Sequence, residues 1–464
     1  MSHVDEVMQS SSKQGRGSWA LLWRLHYTIG LLILPVLVLL CVTGSIYLFK
    51  PQIEAFEEAR IHGHASPLRG DEVAISADVL LSNVMTRHQG AGLIRYVLPK
   101  RDDRTAEFEL LVSKDQQRKK LTLWVDQYTG AILAEKNSDR RFLHIVKKLH
   151  SELLLGSWGS YLVEFVASWA IVLVVLGIYL KVKKRAQSSN SSAGTASWRN
   201  RHGNWGLILA LPVLLMLLTG LPWTQFWGNG FKAAKETFGW EGPGQEWFVT
   251  LQSNSIAHSA PLDIPSESLW EINESQKAGQ HHHRHEGSAV SAFDNKALTI
   301  KLADIVVKPE LENLPHPIYI MPPKPDNGVW TVRAMPADRS QRVTVHYDQH
   351  DASEIMRIGF ADHHPVQRAV SHGISLHEGA LFGLPNLILA LATAIGLASL
   401  GIMGLWLWFQ RQRAGVVRNN ASVTTLPSTP LLALLSSLAL FLPAVGLSVL
   451  SLITYRLILS LRQG

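Results

Sequence analysis

Five long apolar runs constrain this chain more than any other feature of its sequence. They cover residues 29–49, 161–180, 207–227, 384–409 and 431–457. Each reaches the ~20 residues that a helix needs to cross a ~30 Å hydrocarbon layer. Charges enter these runs at Glu164, near the start of the second, and at Arg456, at the end of the fifth. The runs predict an α-helical multi-pass membrane protein with about five transmembrane helices. The first run lacks a small-x-small cleavage site, so we expect it to be a retained anchor.

Short basic segments predict which helix ends face the cytoplasm. The lysines and arginines concerned are Lys13, Arg16, Arg24, Lys181, Lys183, Lys184, Arg185, Arg199, Arg201, Arg411 and Arg413. By the positive-inside rule these segments are cytoplasmic, so the polar blocks 50–150 and 228–375 and the C-terminus are expected outside. The net charge of +7 is explained by this topology and gives no reason to expect nucleic acid as a partner.

The chain contains two copies of one unit, made of a helix, an extramembrane block and a second helix. His26 and His202 each begin an apolar run, and each is followed by Gly after four residues and by Thr-Gly after 17 and 18 residues. His150 and His377 each precede a later run, six residues before a glycine. The duplication predicts that equivalent histidines lie at equal depth, one pair near each membrane surface.

Each extramembrane block is predicted to hold a small periplasmic α+β module. Apolar residues alternate, as in strands, over four segments: 107–112, 121–125, 329–334 and 342–347. Residues 77–88 and 302–312 are expected to be helical. Thr129-Gly130 is typical of a hairpin turn, whereas the second block has Asp351-Ala352 at this point, so we expect a different turn there.

These features divide the chain into nine segments. In order they are transmembrane helix 1 (19–50), module 1 (51–140), an edge helix with transmembrane helix 2 (141–185), a cytoplasmic linker (186–201), transmembrane helix 3 (202–228), module 2 with a histidine-rich loop (229–370), an edge helix with transmembrane helix 4 (371–413), a second cytoplasmic linker (414–428) and transmembrane helix 5 (429–458). The first four transmembrane helices predict a duplicated four-helix core, and the fifth has no counterpart.

Two pairs of histidines inside an apolar bundle are typical of six-coordinate haem, in which each imidazole gives one axial nitrogen. We predict that His26 and His202 bind one haem and that His150 and His377 bind a second. The only cysteine lies in an apolar run and no C-x-x-C-H motif is present, so the haem would have no thioether links. Zinc is the alternative, but no carboxylate or thiol recurs at one offset beside these histidines in both copies. Close approach of the macrocycle or a neighbouring helix is expected at Gly30, Gly206, Gly156 and Gly383.

Further residues are candidates for supporting roles. His144 and His372 are alternative ligands of the second haem or neighbours of its ligands. Four basic residues are candidates to bind haem propionates, or they are ordinary charges that flank the spans: Arg24, Arg201, Arg141 and Lys147. A polar outer loop carries a stretch that is either a weak Zn, Cu or Fe site or a plain histidine-rich segment: His281, His282, His283 and His285. Three aromatic residues are expected near the outer surface: Trp223, Trp227 and Trp240. They are candidates for contacts with the substrate, or they form an interfacial aromatic belt.

Several of these segments resemble the PepSY-associated transmembrane helix family, which includes bacterial iron-regulated membrane proteins and siderophore reductases. The likeness is carried by residues 23–26 with Gly30, by 149–156, by 376–385 and by the module segment ending at 126–130. It extends over about residues 19–413. The resemblance implies a bacterial inner-membrane protein that contains haem b and passes electrons outward to a ferric siderophore in the periplasm.

The function that we expect from these features is ferric-siderophore reduction by transmembrane electron transfer. Electrons from a cytoplasmic or quinol donor would enter at the His26–His202 site and leave from the His150–His377 site, with about two haem b groups per chain. No G-x-G-x-x-G fingerprint opens a helix after a strand, so NAD(P)H is not expected to bind. Two alternatives stay open: a siderophore or metal permease, and a non-catalytic binding or regulatory membrane protein. Bound haem would support electron transfer and argue against both alternatives.

Overall fold

The computed structural model describes residues 3–62, 73–100, 105–114, 117–185, 193–240, 300–323, 328–413 and 429–463. The predicted histidine-rich stretch 281–285 lies outside these residues. The chain forms two compact units. The helical unit comprises residues 1–48, 146–234 and 376–464, and the sheet unit comprises residues 49–145 and 235–375.

The elements of the described residues are labelled in chain order. The helices are α1 (His3–Leu48), α2 (Lys50–His62), α3 (Ala77–Arg87), α4 (Phe142–Glu152), α5 (Ser157–Arg185), α6 (Ala193–Gly220), α7 (Gln225–Phe238), α8 (Leu302–Val306), α9 (Pro365–His377), α10 (Leu384–Arg413), α11 (Thr429–Phe441) and α12 (Pro443–Gln463). The strands are β1 (Gly92–Leu98), β2 (Thr105–Lys114), β3 (Gln117–Asp126), β4 (Ile132–Asn137), β5 (Ile318–Met321), β6 (Trp330–Ala334), β7 (Val343–Tyr347) and β8 (Glu354–Ile358).

Five helices of the described chain are long and apolar enough to cross a membrane. Their spans are Leu21–Leu48, Ser157–Lys183, Ser197–Trp223, Leu384–Arg413 and Pro443–Arg462. Each reaches the ~20 residues that a membrane crossing requires. The prediction of a multi-pass helical membrane protein is therefore confirmed.

The four duplicated spans form one bundle. Helices α1 and α6 each pack against both α5 and α10, so α1 and α6 lie on one diagonal of the bundle and α5 and α10 on the other. Buried apolar residues such as Ile33, Val166 and Leu176 form its core. Because α1 and α6 are equivalent helices of the two copies, residues that they direct inward face each other across the bundle.

The fifth apolar run is divided into two helices. Helices α11 and α12 meet at Leu442, and Pro443 is the first residue of α12. Proline lacks an N–H group and disfavours the helical conformation in the residue before it. The predicted single span 431–457 is corrected accordingly: the span of sufficient length is Pro443–Arg462, after a shorter apolar helix. Helix α12 packs against α5, where Trp169 Nε1 donates a hydrogen bond of 3.2 Å to Ser448.

Glu164, the acidic residue in the second span, has a structural partner. Its two carboxylate oxygens accept the backbone N–H groups of Phe226 and Trp227 at 2.8 and 3.0 Å. These groups belong to the first turn of α7, where N–H groups have no partner within the helix and the helix dipole favours an anion. The fully buried carboxylate is therefore satisfied as a cap on a neighbouring helix.

Equivalent glycines form the turns that lead into α5 and α10. Gly156 and Gly383 have φ of +61° and +62°, in the left-handed region that favours glycine. A Cβ added at either position, or at Gly206, would meet no atom of the described residues within 4 Å. At Gly30 it would meet only Leu173 Cδ1, at 3.9 Å. No neighbouring helix of the described residues therefore packs tightly at these four glycines, and Gly156 and Gly383 serve the turns. Close approach of a macrocycle stays a prediction.

The sheet unit contains one antiparallel sheet built from both extramembrane blocks. Its strand order is β4-β3-β2-β1-β5-β6-β7-β8. The first block contributes β1–β4, the second contributes β5–β8, and β1 pairs with β5 in the middle. Tyr96 and Tyr319 begin matching sequence motifs in the two blocks. In the register of β1 and β5, Tyr96 lies opposite Ile320, the residue after Tyr319, and Tyr319 lies opposite Val97, the residue after Tyr96. The two predicted modules are therefore joined edge to edge into a single unit.

One face of the sheet carries the apolar core. Helices α3 and α8 pack together, and the fully buried residues of the core include Leu80, Phe108, Ile305 and Trp330. The predicted segments 107–112 and 121–125 lie within β2 and β3, and the segments 329–334 and 342–347 begin one residue before β6 and β7. Helix α3 corresponds to the predicted helix 77–88. The predicted helix 302–312 is divided into α8 and a 3-10 turn over Pro309–Asn313, since proline begins a new helical segment more readily than it continues one.

The two hairpins that follow β3 and β7 use the same turn. Asp126 and Asp348 each accept a backbone N–H from two residues ahead, at 2.9 and 2.6 Å. Four residues after each aspartate the backbone is left-handed, with φ of +70° at Gly130 and +57° at Ala352. The prediction of a different second turn is therefore wrong. The aspartate side chain directs the turn, and alanine adopts the conformation that glycine adopts in the first copy.

The strands also carry charged residues at the junction of the two copies. Arg95 Nε on β1 lies 2.7 Å from Glu109 on β2, and its guanidinium lies 4.2 Å from the ring centre of Tyr319 on β5. Burial raises the pKa of Glu107, also on β2, to about 7. The sheet unit therefore contains a carboxyl group that is held protonated at a pH where an exposed glutamate would be ionised.

Candidate functional site

His26 and His202 face each other inside the helical unit. They project from α1 and α6, the diagonal helices of the bundle. Their ring centres are 6.4 Å apart and the ring planes cross at 83°. The duplication predicted this pairing, since equivalent residues of equivalent helices meet at one level of the bundle.

Glycines on the neighbouring helices leave room for these two rings. A Cβ at Gly177 in α5 would lie 3.3 Å from His26 Cε1, and a Cβ at Gly404 in α10 would lie 3.8 Å from His202 Cε1. Gly177 and Gly404 are equivalent positions, each 27 residues after one of the other two predicted histidines. Both copies thus place a histidine of the first helix against a glycine of the second.

His150 and His377 form the second pair, at the ends of α4 and α9. A Cβ at Gly44 in α1 would lie 3.0 Å from His150 Cε1, and one at Gly220 in α6 would lie 3.3 Å from His377 Cε1. These two glycines are again equivalent, each 18 residues after the first histidine of its copy. The packing of histidine against glycine therefore occurs four times in the helical unit.

The hydrogen bonds of the second pair determine its tautomer. His377 Nδ1 lies 3.0 Å from the carbonyl oxygen of Met216, and Leu40 provides the equivalent carbonyl for His150. A carbonyl oxygen can only accept, so Nδ1 carries the proton in each ring. In a neutral imidazole the other nitrogen, Nε2, is then the free base that binds a metal.

Burial keeps both rings neutral. It lowers the pKa of His150 to about 4, and the nearby His377 lowers that pKa further. Burial also lowers the pKa of His377. Because the charged form is disfavoured in a low-dielectric surrounding, both imidazoles keep the lone pair that a metal requires near neutral pH.

The two pairs lie at opposite ends of the bundle. Helix α1 holds His26 of the first pair and touches His150 of the second at Gly44. Eighteen residues separate these positions, which is about 27 Å of helix rise at ~1.5 Å per residue. This separation is close to the ~30 Å thickness of a hydrocarbon layer.

The geometry of the first pair can be compared with that of two ligands on one metal. Rings that bind an ion from opposite sides have centres about 6.3 Å apart, given metal–nitrogen bonds of about 2.0 Å and about 1.15 Å from each nitrogen to its ring centre. Adjacent ligands of a tetrahedral ion would bring the centres to about 5.1 Å. The observed 6.4 Å fits opposite ligands, as in haem. Among the described residues no three His, Cys, Asp or Glu side chains cluster as a metal site of the zinc type.

The predicted supporting residues have several different surroundings. Arg141 belongs to the sheet unit, donates a hydrogen bond of 3.0 Å to Glu57 and lies over the ring of Trp124. Arg201 lies 4.9 Å from the ring centre of Trp198. Arg24 and Lys147 lie on α1 and α4 of the helical unit, close in sequence to His26 and His150.

The two alternative ligands also belong to the sheet unit. His144 Nε2 lies 3.9 Å from Asp139, and the ring of His372 packs edge-on against Phe360 at 4.9 Å. The aromatic candidates Trp227 and Trp240 stack on Phe231 and Phe238 respectively, while Trp223 lies in a 3-10 turn after α6.

The order of these motifs along the chain matches a known family. The model of the PepSY-associated TM region family matches residues 23–411. The chain belongs to this family. The match includes all four paired histidines and both copies of the repeat. A comparison with curated proteins gives no match.

Sequence reasoning identified the histidines of this PepSY-associated chain but missed their neighbours. Thr43 and Thr219 contact His150 and His377, with Oγ1–Nδ1 distances of 3.0 and 3.2 Å. Their repeated spacing after His26 and His202 is part of the duplication. The signal that indicates them is the repeated Thr-Gly dipeptide, two small residues that lie about one membrane thickness along the helix from a histidine in each copy.

Proposed function

We propose that this protein transfers electrons across the membrane through two haem b groups and reduces ferric iron, presented as a ferric siderophore, on the periplasmic side of the inner membrane. The observation that carries the proposal is the pairing of the four duplicated histidines, two by two, at opposite ends of one helix bundle. Membership of the PepSY-associated family supports a multi-pass membrane protein. The cofactor and the acceptor belong to the proposal.

The roles of the residues follow from their placement. His26 and His202 would hold one haem, and His150 and His377 would hold the other, each through Nε2. Bound haem supplies one-electron oxidation and reduction. The bundle keeps water away from the rings, and the glycines hold each imidazole close to a neighbouring helix. Arg24, Arg201 and Lys147 would meet propionates, whereas Arg141 is engaged with Glu57 in the sheet unit.

The substrate chemistry fits an outward electron path. Hydroxamate and similar oxygen ligands bind the hard ferric ion far more tightly than the ferrous ion, so one electron releases the iron. Such a reaction needs no nucleophile or general base in the protein. The donor would be a cytoplasmic reductant or a quinol.

The first test is the reduced-minus-oxidised absorption spectrum of the purified full-length protein, with haem counted as the pyridine haemochrome. We expect two low-spin b haems per chain. His26→Ala and His377→Ala should each remove one of them. His144→Ala and His372→Ala are the matched controls and should retain both, because His144 lies beside Asp139 and His372 packs against Phe360. Release of ferrous iron from a ferric hydroxamate by the reduced protein, followed with a ferrous chelator, tests the reaction itself.

Other outcomes would favour other functions. Protein made with ample haem supply but containing none would exclude electron transfer by this route and favour a metal or siderophore permease. A single haem that survives His377→Ala would leave the second pair without its proposed role. Two haems with no reduction of any ferric chelate would retain the cofactor and refute the proposed substrate.

A further inference from the structure

Two threonines distinguish the second histidine pair from the first. We propose that Thr43 and Thr219 are positioning residues that give the His150–His377 site a lower reduction potential than the His26–His202 site. This inference rests on the proposed function, since it concerns haem bound by these histidines. It assigns to Thr43 and Thr219 a role beyond packing.

The direction of each threonine hydrogen bond is determined by its partners. Thr43 Oγ1 donates its only proton to a backbone carbonyl of its own helix, that of Leu39, at 2.8 Å. It lies 3.0 Å from His150 Nδ1, so toward this ring it can act only as an acceptor. The hydroxyl therefore receives the Nδ1–H of His150.

The second copy repeats the arrangement. Thr219 Oγ1 donates to the carbonyl of Leu215 at 2.7 Å and lies 3.2 Å from His377 Nδ1. The carbonyl of Met216 accepts from the same Nδ1–H at 3.0 Å. Each ring of the second pair thus donates one N–H to two oxygens, one from the threonine and one from the backbone.

These hydrogen bonds change the ligand strength of the ring. A partner that accepts the Nδ1 proton increases electron density at Nε2 and makes the imidazole a more basic ligand. A more basic axial ligand stabilises ferric iron more than ferrous iron, so the reduction potential falls. The backbone carbonyl acts at both pairs, whereas the hydroxyls of Thr43 and Thr219 add a second acceptor to each ring of one site.

The first pair lacks this feature. The residues that precede the glycines facing His26 and His202 are Leu176 and Met403, in place of the threonines that precede Gly44 and Gly220. The backbone carbonyls of Leu173 and Leu400 take the places at His26 and His202 that Leu40 and Met216 have at the second pair. The threonine hydroxyl is therefore the difference between the two sites. The same histidine–glycine packing therefore occurs at both sites, and the hydroxyl is present at one of them.

The test is a spectroelectrochemical redox titration of the purified full-length protein. We expect two waves, and we expect Thr43→Val and Thr219→Val each to raise only the lower one. The expected change is a threefold to tenfold shift in the reduction equilibrium, where tenfold equals about 59 mV for one electron. The double valine variant should shift further, and Thr→Ser at either position should restore the original midpoint. Ser45→Ala is the matched control, because Ser45 makes the same kind of bond to its own helix, to Cys41, at 2.7 Å.

The outcomes separate this inference from the function on which it rests. Two haems with unchanged midpoints in the double valine variant would overturn the role of the threonines and leave electron transfer intact. A shift of the upper wave instead would show that the hydroxyls act on the other site. Loss of one haem from both valine variants would also overturn it, because the hydroxyls would then be needed for assembly. Absence of haem from the parent protein would instead refute the proposed function.

Discussion

A methyl group at position 44 would lie 3.0 Å from Cε1 of His150, closer than carbon atoms normally pack. Gly44 lies near the end of α1, which packs against α5 and α10, so the helix cannot withdraw without losing other contacts. We expect Gly44→Ala to displace the His150 ring from its partner. The haem content of the purified protein should fall from about two per chain to about one, measured as the pyridine haemochrome.

Two other glycines provide controls for this substitution. A Cβ at Gly404 would lie at an ordinary 3.8 Å from His202, and one at Gly230 in α7 would meet no described atom within 4 Å. Both alanine variants should keep the parental haem content. If Gly44→Ala also kept two haems with unchanged spectra, the bundle would have moved to accept the methyl group, and glycine at this position would be dispensable.

At this scale the sequence predicts the histidines better than their surroundings. Histidine spacing repeats between the two copies, and a repeat predicts equal depth whatever the details of packing. The glycines were assigned from their distance along the same helix, whereas the rings touch glycines of other helices, such as Gly177 and Gly44. Which helix faces which is a property of the assembled bundle, so local spacing cannot show it.

Among the elements, strand β2 carries a group whose ionisation opposes folding. Burial raises the pKa of Glu107 to about 7, against about 4.3 for an exposed glutamate. Between these values the folded chain retains a proton that the unfolded chain has lost, so stability falls as pH rises. We expect Glu107→Gln to become more stable relative to the parent by about 1–2 kcal/mol between about pH 5 and about pH 8, since the carboxyl is only partly buried. Thermal unfolding of both proteins across this range measures the difference.

The comparison between parent and variant matters because another residue titrates in the opposite direction. Burial and the nearby Arg333 lower the pKa of His346 on β7 to about 4, so stability falls as pH drops below the ordinary histidine value of about 6.5. This contribution is common to both proteins and cancels in the difference. Glu54→Gln, on α2 beside Lys50, is the control. A difference that stays constant with pH would show that Glu107 is ionised in the folded protein throughout.

The same scale shows where local sequence signals suffice. Alternating apolar residues predicted the strands because the alternation is a direct result of strand geometry. The turn after β7 was misjudged because Ala352 replaces the expected glycine, while Asp348 alone is enough to direct the chain. The apolar run 431–457 was predicted as a single span although it contains Pro443, and a proline that begins a helix is as common a signal as one that ends it.

For the whole molecule, the duplication predicts the helix bundle but not the joined sheet. Two copies of a two-helix unit give four helices, and their apolar surfaces leave few ways to pack. The sequence does not predict the pairing of β1 with β5, because each strand could equally be the edge strand of a separate module. Joining the copies removes both edges at once. Sequence alternation contains no information about which edge meets which.

The proposed electron path makes a prediction about membrane potential. The two histidine pairs are separated by about 27 Å of helix rise along α1, most of the hydrocarbon thickness, so an electron passing between them crosses most of the membrane field. One charge crossing the full field is worth about 2.3 kcal/mol per 100 mV, or at most about 50-fold in an equilibrium constant. In the proposed direction an inside-negative potential assists the electron, and it offsets the lower potential inferred for the His150–His377 site.

Proteoliposomes with a trapped low-potential reductant and an external ferric hydroxamate test this prediction. Release of ferrous iron outside should become faster when a potassium gradient with valinomycin makes the lumen negative, and slower when the gradient is reversed. Only molecules with the His26–His202 end facing the lumen and the His150–His377 end facing the acceptor contribute, so mixed orientation lowers the signal without changing its sign. His26→Ala should abolish the reaction at any potential. A rate that does not depend on the potential would contradict this prediction, because electron transfer between the two pairs would then not limit the release of iron.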